Sequence, residues 1–268
     1  MKLIHHVNCL SVADGVVLEW RLMDEVRLRS VSVYANKLDR KLIINSPLLT
    51  TGRFHLKLDV AELINNYMIH VEDIDGNKED SAVIRPQLLK PEARRIISEI
   101  RTRELTYMKS HPFGAYKFVL LLKNQYGPPC ERCGDGMCAT YGGQNIDPGC
   151  PLCLGTGMKD PYYIYPEMEY MLAVSPKDDH ITGDKDALRN VVTRTFRSVF
   201  PYYLRDEDIV IAENEAYLIK EQSVFASVGN APAVYQITCV QFPMGDPRYP
   251  VFNQIVERVK NGNYAKCN

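Results

Sequence analysis

The sequence is poor in the features that usually advertise chemistry. No run approaches the ~20 apolar residues of a membrane-spanning helix, and no membrane partner is expected. The opening MKLIHHVNCLSVADG lacks the apolar stretch of a secretory signal, so folding in a reducing cytoplasm is expected. Neither sign of charge dominates. Lys and Arg number 32 against 33 Asp and Glu, a formal net charge of −1, which points to neither nucleic acid nor an anionic membrane. Catalytic signatures are missing too: no G-x-S-x-G, no H-E-x-x-H, no Walker lysine in a Gly-rich loop, no Rossmann fingerprint. Of the 6 histidines, His5 and His6 are adjacent and on a strand would point to opposite faces, while His55, His70, His111 and His180 stand singly. The acidic stretch EDIDGNKED (72 to 80) is out of register for a calcium loop and suits a hairpin tip. No catalytic residue, no enzymatic activity and no small-molecule substrate are therefore expected.

What is present is thiol chemistry. Five of the 8 cysteines fall between Cys130 and Gly157. Cys130 and Cys133 form one C-x-x-C pair and Cys150 and Cys153 another, with 16 residues between them, inside the range of the four-cysteine zinc pattern. A C-x-x-C turn lets two thiolates converge on one ion, and two such knuckles complete a tetrahedron with Zn–S bonds of ~2.3 Å. Gly134 and Gly155 follow the pairs and permit the left-handed turns that knuckles need. Pro128, Pro129, Pro148 and Pro151 stiffen the approaches. Four thiolates fill the shell of the ion, so the expected cofactor is a structural Zn2+ with no open position; spacing leaves an iron centre possible. Cys138 has the wrong spacing for a knuckle, and Cys9, Cys239 and Cys267 are scattered singly.

Residues 1 to 87 read as short strands of alternating polarity. In GVVLEWRL, Val16, Leu18 and Trp20 share one face and Val17 and Glu19 the other. RSVSVYANK sets Val31, Val33 and Ala35 against Ser32, Tyr34 and Asn36, GRFHLKLDV alternates Phe54, Leu56 and Leu58, and YMIHVED ends at an Asp-Gly-Asn turn. Regular strand spacing with one apolar face predicts a β-sandwich. Trp20 late in the second strand, Leu63 four residues ahead of Tyr67, and the closing DGNKEDSAVIRP resemble a fibronectin type III domain.

At Pro91 the period changes. PEARRIISEIRTRELTYMKS opens with Pro and Glu, as a helix should. Ile96, Ile97, Ile100, Leu105 and Met108 form its apolar stripe. Arg94, Arg95, Arg101, Arg103 and Lys109 take the rest of the surface, either as a face toward an acidic partner or as a solvated face with pairs such as Glu99–Arg103. AYKFVLLLKNQ is a buried strand leading into the cysteines, YYIYPEMEYMLAVSP a further strand, and DKDALRNVVTRTFRSVF a candidate helix. From Asp208, a short strand, a Glu-Asn turn, a long strand, a Gly-Asn-Ala-Pro turn and another long strand predict an antiparallel meander, ahead of a short terminal helix. The predicted fold class is mainly β with some α. Its expected organisation is a sandwich over 1–87, a helix and strand linking region over 88–125, a zinc ribbon over 126–160 and an antiparallel β-domain over 161–268.

The pairs CERCGDGM and CPLCLGTG resemble the C-x-x-C-x-G-x-G repeats of DnaJ-type co-chaperones, although the first copy lacks its final glycine. A broader resemblance covers most of the chain after the sandwich. The basic helix, the aliphatic strand, the two cysteine pairs, the Tyr-rich YYIYP and the terminal meander ending in Asp246-Pro247-Arg248-Tyr249 resemble a group of tailed-bacteriophage virion structural proteins. That resemblance implies a non-enzymatic structural part of the phage particle, assembled in the host cytoplasm, located in the virion and repeated as a homo-oligomeric ring. The neck, or head–tail connector, is the implied position and the baseplate or tail the alternative. The implied partners are other virion proteins, met through tyrosines such as those in PYYIYPEMEY and FPYYLRD, which could equally pack in cores. A zinc-ribbon nucleic-acid-binding protein is the rival class. The ribbon sets Arg132 and Lys159 against Glu131, Asp135, Asp147 and Asp160, the wrong sign for tracking phosphates, and offers Tyr141 without a row of stacking aromatics, so no direct nucleic-acid binding is expected.

Overall fold

The computed structural model describes residues 2–12, 15–23, 28–35, 41–43, 50–57, 66–86, 88–111, 115–128, 130–133, 150–165, 168–174, 180–182, 191–200, 204–212 and 215–261. Leu58, Leu63, Gly134, Cys138, Tyr141, Pro148 and Cys267 lie outside them, with the expectations attached to each. The chain forms two compact units, residues 1–90 with 124–163, and residues 91–123 with 164–268. The cysteine segment thus shares a unit with the N-terminal strands, and the helix and strand read as a link belong to the other.

The first unit contains β1 (Ile4–Val12), β2 (Gly15–Leu22), β3 (Leu28–Ala35), β4 (Lys41–Ile43), β5 (Arg53–Lys57), β6 (Tyr67–Asp73) and β7 (Lys78–Asp80). They make two antiparallel sheets, β1-β2-β5 and β4-β3-β6-β7. Both bury apolar side chains in one shared core that includes Leu18, Trp20, Val33, Tyr67, Ile69 and Val71. The strand expected over YMIHVED forms as β6, and the alternation of burial along it is complete, with Tyr67, Ile69, Val71 and Asp73 buried. In β2 it breaks down, because Val17 is as buried as its neighbours Val16 and Leu18. Arg53, opposite Glu19 in the β2–β5 register, is also buried. The Glu79 carboxylate on β7 accepts the amides of Leu3 and Ile4 at the start of β1, which joins the two sheets.

The second unit contains α1 (Pro91–Ser110), β8 (Tyr116–Lys123), β10 (Glu169–Ala173), β11 (His180–Thr182), β12 (Val191–Ser198), β13 (Ile209–Ile211), β14 (Ala216–Val228), β15 (Ala231–Gln241) and α2 (Tyr249–Lys260), while β9 (Tyr162–Ile164) straddles the boundary. Six strands close into an antiparallel β-barrel in the order β8-β13-β14-β15-β12-β10, and β10 returns to β8. Closure pairs what would otherwise be the two edges of the sheet, β10 and β8, with each other. Its interior holds Phe118, Phe196 and Tyr217, edge to face with ring centroids 5.2 to 6.0 Å apart, the geometry that the aromatic quadrupole favours.

Two local expectations are corrected here. The stretch read as a helix over DKDALRNVVTRTFRSVF is a strand from Val191 to Ser198. Val191, Val192, Thr193 and Thr195 are β-branched and stiff at χ1, and six consecutive residues of β12 pair in register with β15. In α1 the buried residues are Ile97 and Met108, whereas Ile96 is 46% exposed. The face toward the barrel instead includes Arg101, whose Nε donates to the Ala233 carbonyl at 3.1 Å, and Glu104, which pairs with Arg197 at 3.5 Å. The expected Glu99–Arg103 pair forms at 2.5 Å on the exposed side. The Asp-Pro-Arg-Tyr segment leads from β15 into α2. Arg248 grips Asp246 through Nε at 2.8 Å and Nη2 at 2.7 Å, and its guanidinium lies 4.4 Å from the Phe242 ring centroid.

Candidate metal centre

The approaches to the cysteines run side by side. The amide of Cys130 donates to the Gly157 carbonyl and that of Lys159 to the Pro128 carbonyl, both at 2.8 Å. Closer to the base of this stem, Asn124 donates its amide to Pro161 at 2.8 Å and its side-chain Nδ2 to the Asp160 carbonyl at 2.7 Å. The stem therefore brings two segments some thirty residues apart in the chain into an antiparallel pair before the first knuckle begins.

At its end Cys130, Cys133, Cys150 and Cys153 converge, with all four sulfurs within 4.8 Å of one another. The Cys133 and Cys153 sulfurs lie 3.4 Å apart, and all four are free thiols. A tetrahedral ion with bonds of ~2.3 Å needs sulfurs about 3.8 Å apart, so the donor set fits one ion. The four side chains are 0 to 7% exposed and form one buried cluster, and Leu154 and Met158 of the same segment are buried as well. They could hold one metal ion. The soft, all-sulfur donor set suits zinc or an iron centre rather than a hard oxygen-seeking cation.

The second knuckle is built by a left-handed path. Gly155 has φ +83°, as the sequence suggests, and Gly157 has φ +76°. Leu154 adopts φ +50° without being glycine, a conformation rarely taken by branched side chains. Thr156 holds the turn, donating both its amide (2.9 Å) and its hydroxyl (2.7 Å) to the Cys153 carbonyl. Burial raises the Cys150 thiol, but the amides of Cys153 and Leu152 aimed at its sulfur, with the neighbouring thiols, outweigh it and lower the pKa to about 7. For Cys153 burial wins over the amides of Gly157 and Gly155, and its pKa is raised. Knuckle amides directed at sulfur stabilise thiolate, and several thiolates this close need a cation among them.

All four cysteines selected from the sequence meet in this centre. Cys9 and Cys239 lie elsewhere, and burial pushes the Cys9 thiol up to about 11. Lys159, counted among the ribbon's basic residues, is paired with Glu131 at 3.1 Å, chiefly by the hydrogen bond that also raises its pKa. The residues missed from the sequence are Asn124, Gln125 and Tyr126 at the base of the stem. No spacing rule marks them, because their partners lie elsewhere in the chain. No protein-family model, curated protein or solved structure matches the chain, so its function is read from its own residues.

Proposed function

We propose that the chain is a non-enzymatic structural subunit of a tailed-phage particle, stabilised by one structural zinc ion on Cys130, Cys133, Cys150 and Cys153. The observation that carries this is the closed donor set. Four buried sulfurs within 4.8 Å of one another supply every ligand that a tetrahedral ion takes, and a site without an open position holds structure rather than activating water. Bound there, zinc would neutralise the thiolates and tie the two knuckles together, while the chain's own amides at Leu152, Cys153, Gly155 and Gly157 orient the sulfurs.

The rest of the architecture supports a building block. The sheet orders β1-β2-β5 and β4-β3-β6-β7, with Trp20 and Tyr67 buried between them, agree with a fibronectin type III-like sandwich. The second unit is a barrel packed with aromatic rings. A ring position at the neck follows from the sequence resemblance, with other virion proteins as neighbours. The test is native mass spectrometry of the full chain purified under reducing conditions. One zinc per chain and a discrete closed oligomer are expected. A metal-free chain would sink the zinc assignment, and a monomer that binds DNA with a steep salt dependence would favour the nucleic-acid class instead.

A further inference from the structure

The base of the cysteine stem is hydrogen-bonded into the N-terminal sheets at the one tryptophan of the chain. Gln125 donates its amide to the Thr50 carbonyl at 2.7 Å, and the Thr50 hydroxyl donates to Asn124 Oδ1 at 2.8 Å. The Tyr126 hydroxyl accepts the Leu22 amide at 2.8 Å and donates to Gln125 Oε1 at 2.9 Å. Gln125 Oε1 in turn lies over Gly52, where an added Cβ would sit 2.6 Å from it and 2.7 Å from the Trp20 carbonyl. Gly52 itself accepts the Trp20 amide at 2.8 Å, and the Tyr126 ring packs against the shared core. An unbroken run of contacts therefore leads from the cysteines, down the stem, to Leu22, Gly52 and Trp20.

At the far end of that run the four cysteines form their own buried cluster, and Leu154 and Met158 are the other buried hydrophobic side chains among the described residues of the cysteine segment. Residues 91–123, which separate the two parts of this unit in the chain, belong to the other unit. The stem is thus attached to the N-terminal sheets through non-local contacts, whose closure costs chain entropy. An ion at the tip closes the loop between the knuckles and offsets that cost at the stem.

Building on the proposed zinc centre, we infer that metal occupancy is transmitted to the N-terminal sheets, with Tyr126 and Gln125 as the positioning residues that carry it. Loading orders the stem. The ordered stem supplies the Leu22 amide with its acceptor and the Thr50 carbonyl with its donor, and so seals the end of β2 above Trp20. Stripping the ion frees the stem, and the same backbone groups turn to solvent. The state of the metal centre is thereby readable on a surface of the sandwich well removed from the thiols in sequence.

The test is hydrogen exchange on the full chain, zinc-loaded and then stripped with EDTA under reducing conditions, with zinc content measured on each sample. Protection of the Leu22 and Gln125 amides is expected to fall on the order of tenfold or more, the scale of one lost hydrogen bond. Amides of β12 and β15 should be unchanged, and returning zinc should restore the rest. Tyr126→Phe should keep one zinc per chain and lose protection at Leu22 with the ion still bound. Equal protection at Leu22 in loaded and stripped protein, with zinc verified in the loaded sample, overturns the coupling and leaves the metal assignment standing. A chain that retains no zinc at all overturns both.

Discussion

Two regions of this protein bury their side chains by opposite means. The barrel buries Phe118, Phe196 and Tyr217 against one another and closes its sheet on itself. The cysteine region gathers four thiols into one buried cluster, and among its described residues only Leu154 and Met158 add buried apolar side chains. A packed core spreads its stabilisation over many weak contacts, each replaceable in part. A metal staple concentrates it in a few bonds to one ion, and loses all of it together. The difference teaches where each region is vulnerable, to truncation of a large side chain in one and to removal of a ligand in the other.

The sharpest way to break the comparison is Cys150→Ser with Cys153→Ser. Structural zinc contributes apparent energies on the order of 10 kcal/mol, so the segment around the knuckles should lose its order, while the barrel melts as before. Circular dichroism alongside zinc analysis checks both halves. Loss of the barrel as well would show that the two regions do not melt independently. The converse experiment is Phe196→Ala, which removes a ring in contact with Phe118 and Tyr217 at 5.2 Å each. A loss of about 3–5 kcal/mol is expected from the cavity and the lost burial, read as a lower urea midpoint with zinc content unchanged.

A smaller effect is expected at the junction of stem and sheet. Gly52 has φ +70°, and an added Cβ would meet the Trp20 carbonyl at 2.7 Å. Gly52→Ala should cost roughly 1–3 kcal/mol through strain alone, followed by Trp20 emission, and a stability equal to that of the parent chain would show that the junction yields. The smallest effect is at the turn into α2. Hydrogen bonds from the Arg248 side chain, against the opposing effect of burial, hold the Asp246 carboxyl below its ordinary pKa. The unfolded chain then binds this proton more tightly than the folded one. The stabilisation is accordingly present above the ordinary carboxylate pKa of ~3.9 and is lost as pH falls through the lowered value. Asp246→Asn should flatten that acid limb of the melting profile without touching the metal centre.

Much of this was legible along the chain, because its physics is local. The two C-x-x-C pairs announced four converging sulfurs, since a two-residue spacer brings both thiols to one side of a tight turn. The strand over YMIHVED ending at its Asp-Gly-Asn turn, the start of α1 at Pro91, and the long strands around Gly229 followed from periods and turn residues alone. The helix read over DKDALRNVVTRTFRSVF failed at Val191–Ser198 because strand or helix there depends on a partner, and β15 lies some forty residues further on. Val17 misled for a related reason, since polarity alternation presumes one wet face and β2 has none at that point.

Only the tertiary structure decided that the sheet of the second unit closes, through β10 pairing with β8 as well as β12. It alone joined the cysteine stem to Thr50 and Leu22, bonds that span about a hundred residues in the case of Tyr126. Local spacing sets which atoms can meet an ion, because a turn of four residues has few conformations. Which unit carries the four cysteines depends on contacts between distant segments, whose entropy of closure no short stretch of sequence records.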